Sequence, residues 1–318
     1  SAATGMMSTF QNCKKLASIP LMDTTNVVNI SKGWYGCDTI TTFPQIDTAK
    51  VTSFNEAWYH CDALSSFPAL DYSEALTVNI TWTDCPELLA FPPTKGSTDS
   101  AIFPKAVSLY YTFRNCVKMA SFPDKLIAPK CSVISHFFYR CKALTSLPDP
   151  ADWQVGTDVS QIYYEYTFYS CDNVQIPAYN FDKAISCNNC FAGMTSNTTF
   201  PAVDFPICTN FSECWAFNTG LTAFPKIDIS KGENYQSCWT GNTSMTTFPS
   251  GMFDTTGTLI EEAFSGAFYN CALNNSSIEN VLSSLVTNGV TNQRVSIHGG
   301  TNAPRYTGSS GTTSSWTA

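Results

Sequence analysis

The sequence predicts an α/β protein: a right-handed solenoid of short parallel strands and short helical turns, closed by a C-terminal capping helix. Three observations carry this prediction. A hydrophobic residue followed by proline recurs in steps of 24 at Pro20, Pro44, Pro68 and Pro92, and again at Pro201, Pro225 and Pro249; Pro123, Pro148 and Pro177 lie between at wider spacing. Apolar residues hold fixed places within each period. The fourteen cysteines all fall on inward positions of the same repeat. A unit of 24 residues cannot bury its own apolar face, whereas stacked units share one continuous core.

The unit from Asp47 to Leu70 defines the register, with Asp47 as position 1. Val51, Phe54, Trp58, Cys61, Leu64, Phe67 and Leu70 then hold positions 5, 8, 12, 15, 18, 21 and 24. The preceding unit places Val27, Ile30, Trp34, Cys37, Ile40, Phe43 and Ile46 there. The alternating spacing of three and four over the first half is the stripe of a short helix. Asp-x-Ser or Asp-x-Thr precedes it, as in Asp23-Thr24-Thr25 and Asp228-Ile229-Ser230, offering acceptors to amides at a helix start. Abundant Val, Thr and Asn make the helix a poor one. The second half, L-x-x-F-P-x-[IL], reads as a short extended segment whose proline sits where no ladder donor is needed. About ten or eleven such units fill residues 1–275, a rod of roughly 50 Å at ~4.8 Å per strand.

Cys13, Cys37, Cys61, Cys85, Cys116, Cys141, Cys171 and Cys271 occupy position 15. Cys190, Cys214 and Cys238 occupy position 11, Cys131 and Cys208 position 5, and Cys187 position 8. In the units of Trp215 and Trp239, position 15 is Asn218 and Asn242. A place that takes Cys or Asn calls for a compact side chain that bonds nearby backbone. That describes a structural ladder of buried, inert thiols. Two alternatives stand beside it for Cys187, Cys190, Cys208 and Cys214: disulfides between rungs, or zinc, loosely suggested by the spacing C-x2-C-x17-C-x5-C. The repeat already accounts for three of these four positions.

The ends depart from the repeat. Ser276 and Glu279 form a capping box, Gly289 a helix stop, and Ile278, Val281, Leu282, Leu285 and Val286 one apolar face between them. Residues 276–304 are therefore expected as a cap, with Arg294–His298 as a final strand, and 305–318 as a Gly/Ser/Thr-rich tail or linker. At the other end Ala3, Met6 or Met7, and Phe10 fit positions 5, 8 and 12. The first rung thus looks uncapped, and a preceding segment or another subunit is expected to cover it. Three units are longer, around 94–100, 151–158 and 249–271, and their insertions are expected as loops along one edge.

Composition narrows the function. The net charge is −8, only 13% of residues are charged, and no basic run exists to neutralise phosphates or hold a membrane surface. No apolar run approaches the ~20 residues that span a bilayer. His60, His136 and His298 are the only histidines and stand in no metal spacing. No phosphate-binding loop, dinucleotide fingerprint or nucleophile elbow occurs. No catalytic residue, cofactor or metal is expected. The recurring Asp23, Asp47, Asp71, Asp204 and Asp228 are expected as helix caps, with bridging calcium as the alternative.

The unit [FW]-x-x-C-x-x-L-x-x-F-P-x-x-D-x-S resembles the BspA-like leucine-rich repeats of bacterial surface proteins over nearly the whole chain, from Phe10 to about Gly300. The variant W-x-x-N-T-[SG]-[LM]-T-x-F-P, and the ending over 277–304 with S-I-E-N-V-L-S-S-L-V-T-N-G and G-G-T-N-A-P, are similar to members predicted in marine phages. The resemblance implies a leucine-rich-repeat-like solenoid used for binding or as a structural surface element, and no catalytic residues.

The position-12 tryptophans are expected in the core and the tyrosines at position 13 at an edge. Tyr110, Tyr111, Tyr139, Trp153, Tyr163, Tyr166 and Tyr169 form the candidate binding surface, because clustered exposed aromatics give large contact area at low entropy cost. The expected role is adhesion or receptor recognition by an extracellular, cell-surface or virion-surface protein, with a protein or surface glycan as partner. The alternative is a structural subunit of a shell, fibre or decoration.

Overall fold

The computed structural model describes residues 4–291, 293–303 and 316–317. It comprises two compact units, Ser1–Ile162 and Tyr163–Ala318. In the first unit, rungs stack in parallel at two places. Position 7 bridges join Gly5 to Asn29, Ser53, Thr77, Ser108 and Val133 in succession, and position 20 bridges join Thr42 to Ser66 and Ala90 to Ser121.

Between these places the chain does not form the expected helical turns. Amides at positions 8, 10, 12 and 14 donate to the next rung: Ile30 to Ser53 O (3.1 Å), Lys32 to Asn55 O (2.9 Å), Trp34 to Ala57 O (2.9 Å) and Gly36 to Tyr59 O (2.8 Å). The amides between them close tight turns on their own rung: Gly33 to Ile30 O (2.8 Å), Tyr35 to Lys32 O (3.2 Å) and Cys37 to Trp34 O (3.2 Å). An α-helix would instead direct each amide four residues back. Positions 10 and 14 are left-handed, with φ of 56° and 67° at Lys32 and Gly36, 54° and 54° at Glu56 and His60, and 60° and 56° at Ile80 and Asp84. A side chain pays steric strain there, and the bond from each of those amides to the next rung offsets it. At Gly36 an added Cβ would also lie 2.5 Å from Asn12 Oδ1. Successive tight turns turn the same positions inward as a helix would, which explains the shared spacing. The position-1 aspartates also act differently from helix caps. Asp23, Asp47 and Asp71 each accept, through Oδ1, the amide two residues on, from Thr25 (3.1 Å), Ala49 (3.0 Å) and Ser73 (2.8 Å). These are Asx turns.

The core is built from aromatic columns. Phe10, Trp34, Trp58, Trp82 and Phe113 stack with centroids 6.0, 5.7, 5.5 and 5.2 Å apart. Phe43, Phe67 and Phe91 of position 21 meet Trp34, Trp58 and Trp82 edge-on, at 4.8, 4.6 and 4.9 Å. Trp34, Trp58 and Trp82 are wholly buried. Such edge-to-face contacts suit the ring quadrupoles and add to the area buried.

Two of the expected loops are drawn into a sheet. β1 (Ser100–Ile102), β2 (Lys125–Ala128) and β3 (Trp153–Val155) pair in parallel, with Ala101 opposite Leu126 and Leu126 opposite Trp153. The insertion over 151–158 therefore supplies a strand, and Trp153 points inward.

The chain enters the second unit within β4 (Ile162–Tyr163) and continues through β5 (Ala184–Ser186). The same ladder returns. Position 7 bridges join Ser186, Asn210 and Asn234, and Phe211, Glu213, Trp215 and Phe217 donate to Asn234, Gln236, Cys238 and Thr240 at 2.7–2.9 Å. Phe191, Trp215, Trp239 and Phe268 stack at 6.1, 5.6 and 5.1 Å.

Helix α1 (Asn275–Asn288) follows the last full rung. Its N-cap is Asn274, whose Oδ1 accepts the Ser277 amide at 2.9 Å, so the Ser276–Glu279 capping box is corrected by two residues. Gly289, at φ 73°, ends it. Ile278, Val281, Leu282 and Leu285 are buried, whereas Val286 is 71% exposed and leaves the expected face. Two serines complete the docking. Ser277 Oγ accepts from Phe248 N (2.9 Å), and Ser284 Oγ accepts from Phe253 N (2.7 Å) and donates to Asp254 Oδ1 (2.7 Å). Beyond the helix, β6 (Arg294–Val295) pairs antiparallel with β7 (Trp316–Thr317). Ser296 O and His298 O accept from Phe268 and Asn270 at 3.0 Å each, extending the ladder by one rung. The remainder of the expected tail over 305–318, and Ala3 of the first rung, lie outside the described residues.

Candidate recognition site and the cysteine–asparagine column

The first unit gathers an aromatic and charged cluster at positions 9, 10, 13 and 14 of neighbouring rungs. Tyr110 and Tyr111 follow one another where the chain turns left-handed, with rings 4.2 Å apart. Tyr111 stacks on His136, one rung on, at 4.0 Å and 15°. The guanidinium carbon of Arg114 lies 5.4 Å from the Tyr111 ring and 5.5 Å from the Tyr139 ring, within cation–π range of both. Its Nη1 reaches Asp84 Oδ2 at 3.3 Å, and Asn115 Nδ2 donates to Asp84 Oδ1 at 2.5 Å. His60 Nε2 lies 3.7 Å from Asp84 Oδ2, and its Nδ1 3.5 Å from Asp62. Burial, and then the charge of Arg114, hold the His136 imidazole at about 4, so it is neutral at physiological pH.

An open groove of about 530 Å³ runs beside this cluster. His60, Asp62, Asp84, Arg114, Asn115 and Arg140 line it. Carboxylates, amide and guanidinium groups give it both acceptors and donors.

Of the tyrosines expected at a binding surface, Tyr110 is 37% exposed, and Tyr111 and Tyr139 are half-buried within this cluster. In the second unit Tyr163 is 43% exposed, and the half-buried Tyr166 and Tyr169 rings lie 5.7 Å apart. Trp153 does not belong to such a surface: it is 8% exposed, because the alternation of β3 turns it into the core. Asp84, Arg114 and His136 were not singled out by the sequence. Their signal is register: they stand at positions 14, 13 and 10 of successive units.

Position 15 forms a column. Five thiols of the first unit donate to the carbonyl of the position-12 aromatic one rung back: Cys37 to Phe10 O (3.0 Å), Cys61 to Trp34 O (3.2 Å), Cys85 to Trp58 O (3.1 Å), Cys116 to Trp82 O (3.1 Å) and Cys141 to Phe113 O (3.1 Å). In the second unit Cys271 donates to Trp239 O (3.0 Å), Asn218 Nδ2 to Phe191 O (2.9 Å) and Asn242 Nδ2 to Trp215 O (3.0 Å). The amide oxygens also accept an amide of the preceding rung. Asn218 Oδ1 accepts the Met194 amide, and Asn242 Oδ1 the Asn218 amide, at 2.7 Å each. Asn302 repeats the motif beyond the helix, donating to Phe268 O at 2.9 Å, and was missed because α1 interrupts the period. Cys171 is buried, and Cys13, on the first rung, is partly exposed. Burial pushes the Cys37 thiol up to about 11 and that of Cys271 up to about 12, so neither ionises near neutral pH.

Among the described residues no helix is long and apolar enough to cross a membrane. No family model and no curated protein matches the chain. Several solved structures overlap with it, two of them as follows. One, a leucine-rich repeat protein from Bacteroides ovatus, is 16% identical, with 89% of this chain and 84% of that chain covered, at a TM-score of 0.30. The other, a leucine rich cell surface protein from Faecalibacterium prausnitzii, is 14% identical, with 79% and 71% covered, at a TM-score of 0.33. Overlaps this slight leave the architecture to rest on the repeat and its hydrogen bonds.

Proposed function

We propose that this is a non-enzymatic surface repeat protein whose units are right-handed, leucine-rich-repeat-like stacks, and that it recognises a glycan or protein on an opposing surface. In its finer form the reading is an adhesin or receptor-binding element on a cell or virion exterior. One observation carries it: the Arg114 guanidinium is held between Tyr111 and Tyr139 and against Asp84, beside an open groove. A guanidinium fixed in this way loses little freedom when a ligand arrives, which favours binding. The thiols of the column are buried and hydrogen-bonded to backbone, which suits a structural rather than a nucleophilic role.

The test is a glycan array and a protein-surface screen with the intact chain. Arg114→Ala and Tyr139→Ala should each weaken a hit at least about tenfold, the scale of one lost anchor, while Tyr163→Ala reports on the second unit. Binding indifferent to both first-unit variants would move the site elsewhere. Labelling of intact cells or particles by an antibody to the groove tests its accessibility, and a groove buried in an assembled lattice would favour the structural-subunit alternative.

A further inference from the structure

Five cysteines of the second unit stand outside the position-15 column, and all of them but Cys238 gather around one thiol. Cys187, Cys190, Cys208 and Cys214 are each wholly buried. Register brings them together. Cys190 closes a tight turn onto Cys187 O at 3.0 Å, and Cys214 occupies the same position 11 one rung on, accepting the Phe191 amide at 2.9 Å. Cys187 N donates to Asn210 O at 2.9 Å, two residues past Cys208. The Cys187 thiol lies within hydrogen-bonding reach of the other three thiols. Elsewhere the position-15 thiols donate to rung carbonyls at 3.0–3.2 Å. Here Cys208 donates to Asn210 O at the longer distance of 3.6 Å.

The arrangement is a star with Cys187 at its centre. A tetrahedral metal site needs four thiolates around a shared void, whereas here a sulfur occupies the middle. Among the described residues no group of three or more His, Cys, Asp or Glu converges on a metal position. A star of thiols has a different capacity: any of three neighbours can reach the central sulfur, and all three possible pairs share it.

We propose that Cys187 is the obligatory member of a single disulfide, formed with one of Cys190, Cys208 or Cys214 by exchange with an external disulfide while the chain folds. The Cys187 thiolate attacks the external disulfide, forms a mixed disulfide and releases one small thiol. A neighbouring thiolate then attacks the Cys187 sulfur and releases the second. The two protein thiols are oxidised and the external disulfide is reduced, with the two protons carried by the two released thiols. Exchange belongs to folding because burial closes the cluster to attack once the rungs stack. The inference rests on the exterior reading only for its oxidant in the cell.

The test supplies the oxidant, so its failure and that of the exterior reading are distinguishable. The intact chain is refolded with oxidised and reduced glutathione, trapped with acid, alkylated unfolded, and mapped by mass spectrometry without reduction. One disulfide per chain, always containing Cys187, is the expected result. Cys214→Ser should still form one, through Cys190 or Cys208, whereas Cys187→Ser should form none. A fully reduced wild-type chain, two or more disulfides, or a disulfide that omits Cys187 would overturn the proposal. Mapping of the wild-type chain decides the matter even where a variant fails to fold.

Discussion

At the scale of residues, the position-15 column shows why two unlike side chains share one place. Thiol and carboxamide both present a donor at the height of the carbonyl one rung back, and the carboxamide oxygen is the stronger acceptor for the position-15 amide of that rung. Asn218 joins Phe191 O to the Met194 amide, both inside the stack. Asn218→Ala should cost about 2–3 kcal/mol in urea unfolding, because it strands a buried donor and a buried acceptor. Asn218→Cys restores the bond to Phe191 O and offers the Met194 amide only a weak sulfur acceptor, so its cost should fall between alanine and wild type. Equal costs for the two variants would show that packing, not hydrogen bonding, governs the column. The column was legible in the sequence as a Cys/Asn alternation. Its bonding partner was not, since that carbonyl lies 27 residues away for Cys61 and Trp34.

At the scale of the element, the rung replaces helical bonds with bonds between rungs. The left-handed residues at positions 10 and 14 turn the chain so that alternate amides face the next rung. Most of these places hold Gly, Asn, Asp or other unbranched residues, but Ile80 is β-branched at φ 60°. Ile80→Asn and Ile80→Gly should therefore stabilise the first unit by about 1 kcal/mol, read as a higher urea midpoint with unchanged slope, while Ile80→Val should bring no gain. A loss in both Asn and Gly would mean that the isoleucine side chain packs well enough to outweigh its backbone strain. The sequence called for helical turns because a stripe spaced by three and four is common to an α-helix and to a chain of tight turns. Among the described residues only α1 is a helix of full length. Its limits were readable from Gly289, yet its N-cap fell to Asn274, whose side chain reaches the free Ser277 amide.

At the scale of the whole molecule, each rung touches chiefly its neighbours, so stability should behave as a sum of rungs and interfaces. Deleting residues 47–70 removes one full period and joins Ile46 to Asp71 in register, so that Trp34 would stack on Trp82. That deletion should leave a folded protein with the wild-type circular dichroism shape and a melting temperature lower by several degrees, about the scale of one lost interface. Deleting 47–58 removes half a period, places polar residues at core positions, and should unfold the first unit. Folding of both deletions alike would contradict a register set by the repeat. By itself the sequence determined the period, the inward positions and the place of the C-terminal helix, because burial repeats with composition and is written in every unit. Tertiary structure alone decided three things: the left-handed turns, the strand that draws Trp153 inward, and the meeting of Tyr111, Arg114, His136 and Tyr139. The reason is common to all three. Each depends on a hydrogen bond or contact with another rung, and no single unit records what its neighbours will place against it.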